Sequence, residues 1–249
     1  MVLNLDGLEV EEIRRPKHDY ETAVVFGNLD GTPVVLKTFA FHPLLYRWLL
    51  GWLCRREARL LMALEPVAMD SGGECWLPAG ARPWGRWGVL MPRVDGRPLR
   101  GLGPGDLPPK FISRLAAAVE SLHGARVVHL DLKNAGNILV REGGHPVLLD
   151  FAGCLSFRNW PLVGGFLTRL FGIVDRAAVV KWKQDFFPGT LTAAETRLLG
   201  RIVRLRRWWP FPVRKLYRRG RTRVSPPDPG DSRDPSGNSP GGRDTDRNP

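Results

Sequence analysis

His129-Leu-Asp131-Leu-Lys133-Asn-Ala-Gly-Asn137-Ile-Leu-Val-Arg-Glu-Gly-Gly-His-Pro-Val-Leu-Leu-Asp150-Phe is the stretch on which the fold of this 249-residue chain turns. Ile138 to Val140 and Val147 to Leu149 are short apolar runs separated by Arg-Glu-Gly-Gly, a hairpin signal. Gly143 and Gly144 suit a two-residue turn, because glycine accepts the positive φ that tight hairpin turns require. A hairpin centred between them pairs residues whose numbers sum to 287 and sets Asn137 beside Asp150 at its open end. Their Cα atoms are then expected about 4.5–5.5 Å apart. Asp131, on the loop leading in, adds a third polar group. Such hard oxygen donors suit Mg²⁺, which takes one or two carboxylates and completes its shell with water and phosphate.

The string HLDLK, NILV and LLDF resembles the catalytic loop and metal-binding aspartate of the protein-kinase-like fold. The resemblance implies Asp131 as catalytic base, Lys133 as a steadying charge on the transferring phosphoryl group, and Asn137 and Asp150 as Mg²⁺ ligands. His129 is then a structural support for the loop. Two departures accompany the match. The asparagine stands six residues after Asp131 where most protein kinases have five, and the metal-binding triplet reads Asp150-Phe151-Ala152 with glycine displaced to 153.

Outward from this stretch the same resemblance organises the chain as α+β: a two-lobed protein-kinase-like fold with a small antiparallel-sheet N-lobe and a reduced, mainly helical C-lobe. Leu8 to Ile13, Tyr20 to Phe26 and Pro33 to Phe39 read as three strands in a meander, with Gly27 to Gly31 as a turn. Lys37 in Val-Val-Leu-Lys occupies the place of the family's phosphate-binding lysine, and Glu57, in the helical run that follows Leu53, is its implied ion-pair partner. Val89 to Val94 resembles the hinge that meets adenine, which puts Met91 and Arg93 at the nucleotide. The loop expected over the phosphates, Arg14 to Asp19, has no glycine. Residues 65–86 read as strands or loops. Pro108 opens a helix whose buried face carries Phe111, Ile112, Leu115, Val119 and Leu122 and which Gly124 closes. Asp175 reads as the start of another helix, and Thr192-Ala-Ala-Glu195 as a capping box opening the last.

The organisation expected is an N-lobe over 1–94, a C-lobe over 95–200, a basic aromatic segment over 201–223 and a disordered tail over 224–249. The formal charge of +12 is unevenly placed: residues 201–223 hold ten Arg and Lys and no Asp or Glu. Together with Trp208, Trp209 and Tyr217 this segment suits an anionic membrane surface, and no base-stacking module or zinc pattern argues for nucleic acid. Three cysteines without metal-ligand spacing, and an acidic first segment without an apolar core, fit a cytoplasmic chain. Apolar runs interrupted at Arg47 and Arg169 fall short of the ~20 residues that span a bilayer.

Within the superfamily, the motifs look most like compact bacterial lipopolysaccharide kinases of the Kdo and heptose type and atypical Ser/Thr kinases. The implied activity is ATP-dependent, Mg²⁺-assisted phosphoryl transfer to a hydroxyl, either of an inner-core sugar or of a protein Ser/Thr, at the cytoplasmic face of the inner membrane. A weakly catalytic nucleotide-binding scaffold at the membrane is the alternative.

Overall fold

A computed structural model describes residues 7–15, 21–70 and 74–208, all within one compact unit, Met1–Pro210. The phosphate-loop positions 16–19, most of the basic segment and the tail lie outside the described residues. Strands β1 (Leu8–Arg14), β2 (Ala23–Leu29) and β3 (Thr32–Thr38) form the expected antiparallel meander. The turn is tighter than expected: Asp30 and Gly31 alone form it, both at positive φ (50° and 76°), so Asp-Gly is the hairpin signal. Gly27 lies inside β2 instead, opposite a bulge in β1, where a Cβ would meet the Glu9 carbonyl oxygen at 2.3 Å.

Helix α1 runs from Leu44 to Met69, and Cys54, Ala58, Leu61, Leu64 and Ala68 form its buried stripe at three- and four-residue spacing. Residues 65–69, read with the Gly-, Pro- and Trp-rich stretch to 86 as strands or loops, continue this helix, with Pro66 inside it. Proline there removes one amide donor near the end, yet the last turn still closes, with the Asp70 amide on the Pro66 carbonyl at 3.0 Å. Strands β4 (Arg82–Trp84) and β5 (Gly88–Pro92) complete a five-stranded sheet in the order β1-β2-β3-β5-β4. Alternation divides its faces: Val25, Leu36 and Leu90 form a small outer core, whereas Lys37, Val89 and Met91 point the other way.

The second half adds β6 (Arg97–Pro98), α2 (Phe111–Gly124), β7 (Val127–Val128), β8 (Ile138–Val140), β9 (Pro146–Leu148), β10 (Leu155–Ser156), α3 (Gly164–Phe186) and α4 (Ala193–Trp208). Helix α3 begins well before Asp175. Its early glycines disguise it, but Gly172 is required because a Cβ would meet the His123 ring of α2 at 2.7 Å. The capping box forms as read: Thr192 Oγ1 accepts from the Glu195 amide, and Glu195 accepts from the Thr192 amide at 2.7 Å. A continuous core joins Phe39, α1 and β5 to α2, Ile138, Phe151 and Trp182.

The β8–β9 hairpin corrects the register. Ile138 pairs with Leu148 and Val140 with Pro146, so partner numbers sum to 286 rather than 287. Both glycines are left-handed (φ 74° and 78°), and Arg141 N–H donates to the His145 carbonyl, closing a three-residue turn. Pro108 fixes it, since Gly144 approaches the proline ring more closely than any Cβ would allow. The residue beside Asn137 is Leu149, whose amide donates to the Asn137 carbonyl at 2.8 Å, and Asp150 lies one step beyond the ladder.

Candidate active site

Lys37 reaches from the inner face of β3 to two carboxylates on different elements. Its Nζ lies 2.9 Å from Glu57 Oε1 of α1 and 3.0 Å from Asp150 Oδ1. The lysine side chain is 14% exposed and Glu57 is buried, while the Asp150 side chain is 49% exposed and opens to solvent. Burial opposes the ammonium charge, but Asp150 and Glu57 outweigh it and hold Lys37 above the usual lysine range. Lys37 in turn holds the Asp150 carboxyl below its ordinary value, against the opposing effect of burial. Glu57 Oε1 also accepts from the Phe151 amide at 3.1 Å, so one oxygen ties α1 to both the lysine and the segment after Asp150.

A second cluster centres on Asp131. Its Oδ2 accepts from Asn137 Nδ2 at 2.8 Å, and the same amide nitrogen donates to the Asp131 carbonyl. Burial pushes the Asp131 carboxyl above the usual aspartate range, Asp150 adds to the rise, and the Asn137 bond and His129 oppose it. The two aspartates are therefore driven in opposite directions by their surroundings, the pattern that separates a proton acceptor from a permanently charged group. Asn134, the residue within the one-residue-longer loop, donates from Nδ2 to Asn137 Oδ1 at 3.2 Å and accepts from the Gly136 amide and from Arg100. Lys133 is half-buried two positions after Asp131.

Beneath the loop stands a residue the sequence reading left without a role. Asp175, buried in mid-α3, accepts the amides of His129 at 2.8 Å and Leu130 at 2.7 Å, with His123 Nε2 at 3.1 Å. Leu130 has φ 69°, a left-handed conformation a leucine adopts only under constraint. The sequence signal of Asp175 is a lone carboxylate between Ile173-Val174 and Ala177 to Val180, a charge that burial leaves in need of donors. His129 supports the loop as implied: Nε2 lies 2.9 Å from the Leu149 carbonyl oxygen and the ring meets Phe151 edge-on at 5.1 Å. Arg56 of α1, also unread in the sequence, donates to the carbonyls of Ala152 and Cys154.

The structure brings Lys37, Glu57 and Asp150 together, and Asp131 with Asn137. Met91 and Arg93 stand apart from both groups. Met91 is buried on β5 and lines a cavity of about 220 Å³ with Thr32, Val34, Gly80 and Arg82, a space bounded by none of the clustered residues. The Arg93 amide donates to the Pro33 carbonyl and its guanidinium pairs with Glu11 at 2.9 Å. Among the described residues no three His, Cys, Asp or Glu side chains converge. Asn137 and the solvent-open Asp150 supply only oxygen donors to a cation, a set that fits a magnesium ion whose other ligands are water and phosphate. Burial pushes the Cys54 thiol up to about 12 and Cys154 also upward, which leaves neither as a ready nucleophile.

No family model matches the chain. Two solved structures of Rio2 kinase from Chaetomium thermophilum are similar to it. One, the ADP/Mg²⁺-phosphoaspartate complex, has a TM-score of 0.53 and 18% identity over 72% of this chain and 56% of that one. The other has a TM-score of 0.56 and 17% identity over 76% and 61%. The mouse and human serine/threonine-protein kinases LATS1 are each 41% identical over 58 residues, 23% of this chain and 5% of theirs. The chain thus spans a small fraction of the LATS1 proteins and less than two thirds of the Rio2 chains. Its fold is protein-kinase-like, α+β, with an antiparallel five-stranded sheet and four α-helices among the described residues.

Proposed function

We propose that the protein is an ATP-dependent phosphotransferase acting on a hydroxyl acceptor, either an inner-core sugar of lipopolysaccharide or a protein Ser/Thr. The observation that carries this reading is the Lys37 ammonium held between Glu57 and Asp150, with a second carboxylate, Asp131, oriented by Asn137. In the proposed reaction the acceptor oxygen bonds to the γ-phosphorus, Asp131 takes the hydroxyl proton, and ADP leaves with the bridging oxygen. Asn137 Nδ2 orients Asp131 for that transfer. Lys37, oriented by Glu57, meets the nucleotide phosphates, and Lys133 steadies the transferring group. Asn137 and Asp150 would hold Mg²⁺, which neutralises charge between the phosphates. That one of the Rio2 neighbours was solved with ADP and Mg²⁺ supports nucleotide and magnesium use in this reading. The proposed location is the cytoplasmic face of the inner membrane, supported by the basic aromatic composition of residues 201–223.

The test is transfer of labelled γ-phosphate to purified inner-core glycolipid and, in parallel, to a generic protein substrate. One acceptor should be labelled by wild type and not by Asp131→Asn. The second reading, a nucleotide-binding scaffold, draws on the Asp150 carboxylate being held by Lys37 and on the glycine-free loop between β1 and β2. Tight Mg²⁺-dependent ATP binding without labelling of either acceptor would favour it.

A further inference from the structure

The outward face of α1 is apolar where a solvated helix would be polar. Leu44 is 70% exposed, Leu45 65%, Trp48 67% and Trp52 50%, and none of them belongs to the clusters around Lys37 and Asp131. Residues 45, 48, 52, 55, 59, 62, 66 and 69 follow one another at three- and four-residue spacing, so they share one face of the helix. That face begins with leucines and two tryptophans, passes Arg55 and Arg59, and ends with Met62 and Met69, both exposed. Its opposite side is packed through Cys54, Ala58 and Leu61 and presents Glu57 to Lys37. The protein therefore keeps a large apolar strip in water beside a rigidly anchored helix, which marks an interaction surface rather than a scatter of single residues.

Charge identifies the occupant. From Gly31 to Arg56 there is no Asp or Glu, and Glu57 beyond it is buried against Lys37. Arg47, Arg55 and Arg59 lie in or beside the strip, while Arg56 turns inward to the Ala152 and Cys154 carbonyls. Glu65 is the acidic residue of α1 near its far end. A second copy docked through the same strip would bring arginines against arginines in a drying interface, where like charges repel strongly. An anionic surface neutralises them instead. Tryptophan suits the headgroup level, its ring apolar and its N–H polar, and arginine stems lie along the acyl boundary while their heads reach phosphate. The helix does not need to enter further, and no helix among the described residues is long and apolar enough to cross a membrane.

We propose that the outward face of α1, led by Leu44, Leu45, Trp48 and Trp52 with Arg55 and Arg59 behind them, seats on an anionic lipid bilayer. The docking surface lies on α1 and is distinct in sequence from the basic segment 201–223. It rests on neither the acceptor nor the activity.

The experiment is flotation of the full chain with vesicles of phosphatidylcholine alone and with added phosphatidylglycerol. Three proteins are compared: wild type, Trp48→Gln/Trp52→Gln, and Phe166→Gln/Leu170→Gln. The last pair removes two equally exposed apolar side chains from α3. Wild type and the α3 variant should float with the anionic vesicles at low salt and detach as salt rises. The α1 variant should lose partitioning by about tenfold or more. All four positions are exposed, so circular dichroism and thermal midpoints should match wild type. Retained binding by the α1 variant overturns the proposal and leaves the segment from 201 to 223 as the anchor. Equal loss in both variants overturns it as a local site, and equal binding to neutral vesicles overturns the charge argument. A dimer in sedimentation that the α1 variant dissolves would assign the strip to a second copy instead.

Discussion

Replacing Asp175 should unfasten the loop that carries Asp131. The carboxylate is fully buried and accepts two backbone amides, His129 at 2.8 Å and Leu130 at 2.7 Å. Alanine leaves both donors without a partner in a site closed to water, at about 1–3 kcal/mol each, and adds a small cavity. The sum is about 3–6 kcal/mol, a large part of the ~5–15 kcal/mol that holds a typical domain folded. Part of the loss should appear as local relaxation, because Leu130 at φ 69° carries about 1–2 kcal/mol of strain that those bonds offset. Asparagine keeps one acceptor oxygen and turns an NH₂ toward the other amide, so its cost should be about half that of alanine. Urea unfolding followed by far-UV circular dichroism should rank wild type above Asp175→Asn above Asp175→Ala. In the folded Asp175→Asn protein, phosphoryl transfer should fall while ATP affinity holds, since Lys37, Glu57 and Asp150 do not touch Asp175. An alanine variant within about 0.5 kcal/mol of wild type would refute the anchoring argument, because surface substitutions alone stay within that range.

Lys37→Met and Glu57→Gln should be strongly non-additive in a double-mutant cycle on the transfer rate, since either change dissolves the same 2.9 Å pair. Independent, summing penalties would mean that Glu57 does not orient the lysine. Asp131→Asn should abolish most transfer with little change in the urea midpoint. In wild type, Asp131 must be ionised to accept a proton and its pKa is raised, so kcat/KM should fall on the acid side at a pH above the ordinary aspartate value of 3.8. An acid limb at or below that value would place the base elsewhere. Gly172→Ala should destabilise by about 1–3 kcal/mol despite its helical preference, because the new Cβ would lie 2.7 Å from the His123 ring. Gly165→Ala, with nothing within 4 Å, should stabilise α3 by about 0.5–1 kcal/mol, and thermal midpoints separate the two outcomes.

What the sequence made legible was chemistry of short range. The β-meander and the capping box follow from spacing within one element or one turn, whereas Lys37, Glu57, Asp131 and Asn137 were singled out by the resemblance of HLDLK, NILV and LLDF to the protein-kinase-like fold. What it concealed is set by partners far along the chain. Asp175 meets its donors 45 and 46 residues away, and read alone it looks like a helix start. The β8–β9 register depends on Pro108 packing against Gly144, a contact no local pattern encodes. The Gly-, Pro- and Trp-rich stretch from 65 reads as strand or loop, yet α1 continues to Met69 because Leu64 and Ala68 are buried in the core. In each case tertiary packing outweighed a correct local preference.

The departure at Ala152 takes on meaning in the same way. Where a glycine would let the backbone after Asp150 change conformation, this chain has a Cβ, and α1 clamps the segment at three points. Glu57 accepts the Phe151 amide, while Arg56 donates to the carbonyls of Ala152 and Cys154. Asp150 itself sits at φ 66°, left-handed, with Lys37 on its carboxylate. A non-glycine residue held there costs about 1–3 kcal/mol and persists only when its surroundings over-determine it. Four interactions converging from α1 and β3 do so. The arrangement therefore favours one standing position of the Asp150 carboxylate over a switch between two, and α1 controls the site through two successive side chains, Arg56 and Glu57. The helix whose outward face is apolar is the helix whose inward face, through Glu57 and Arg56, sets the geometry around Lys37 and Asp150.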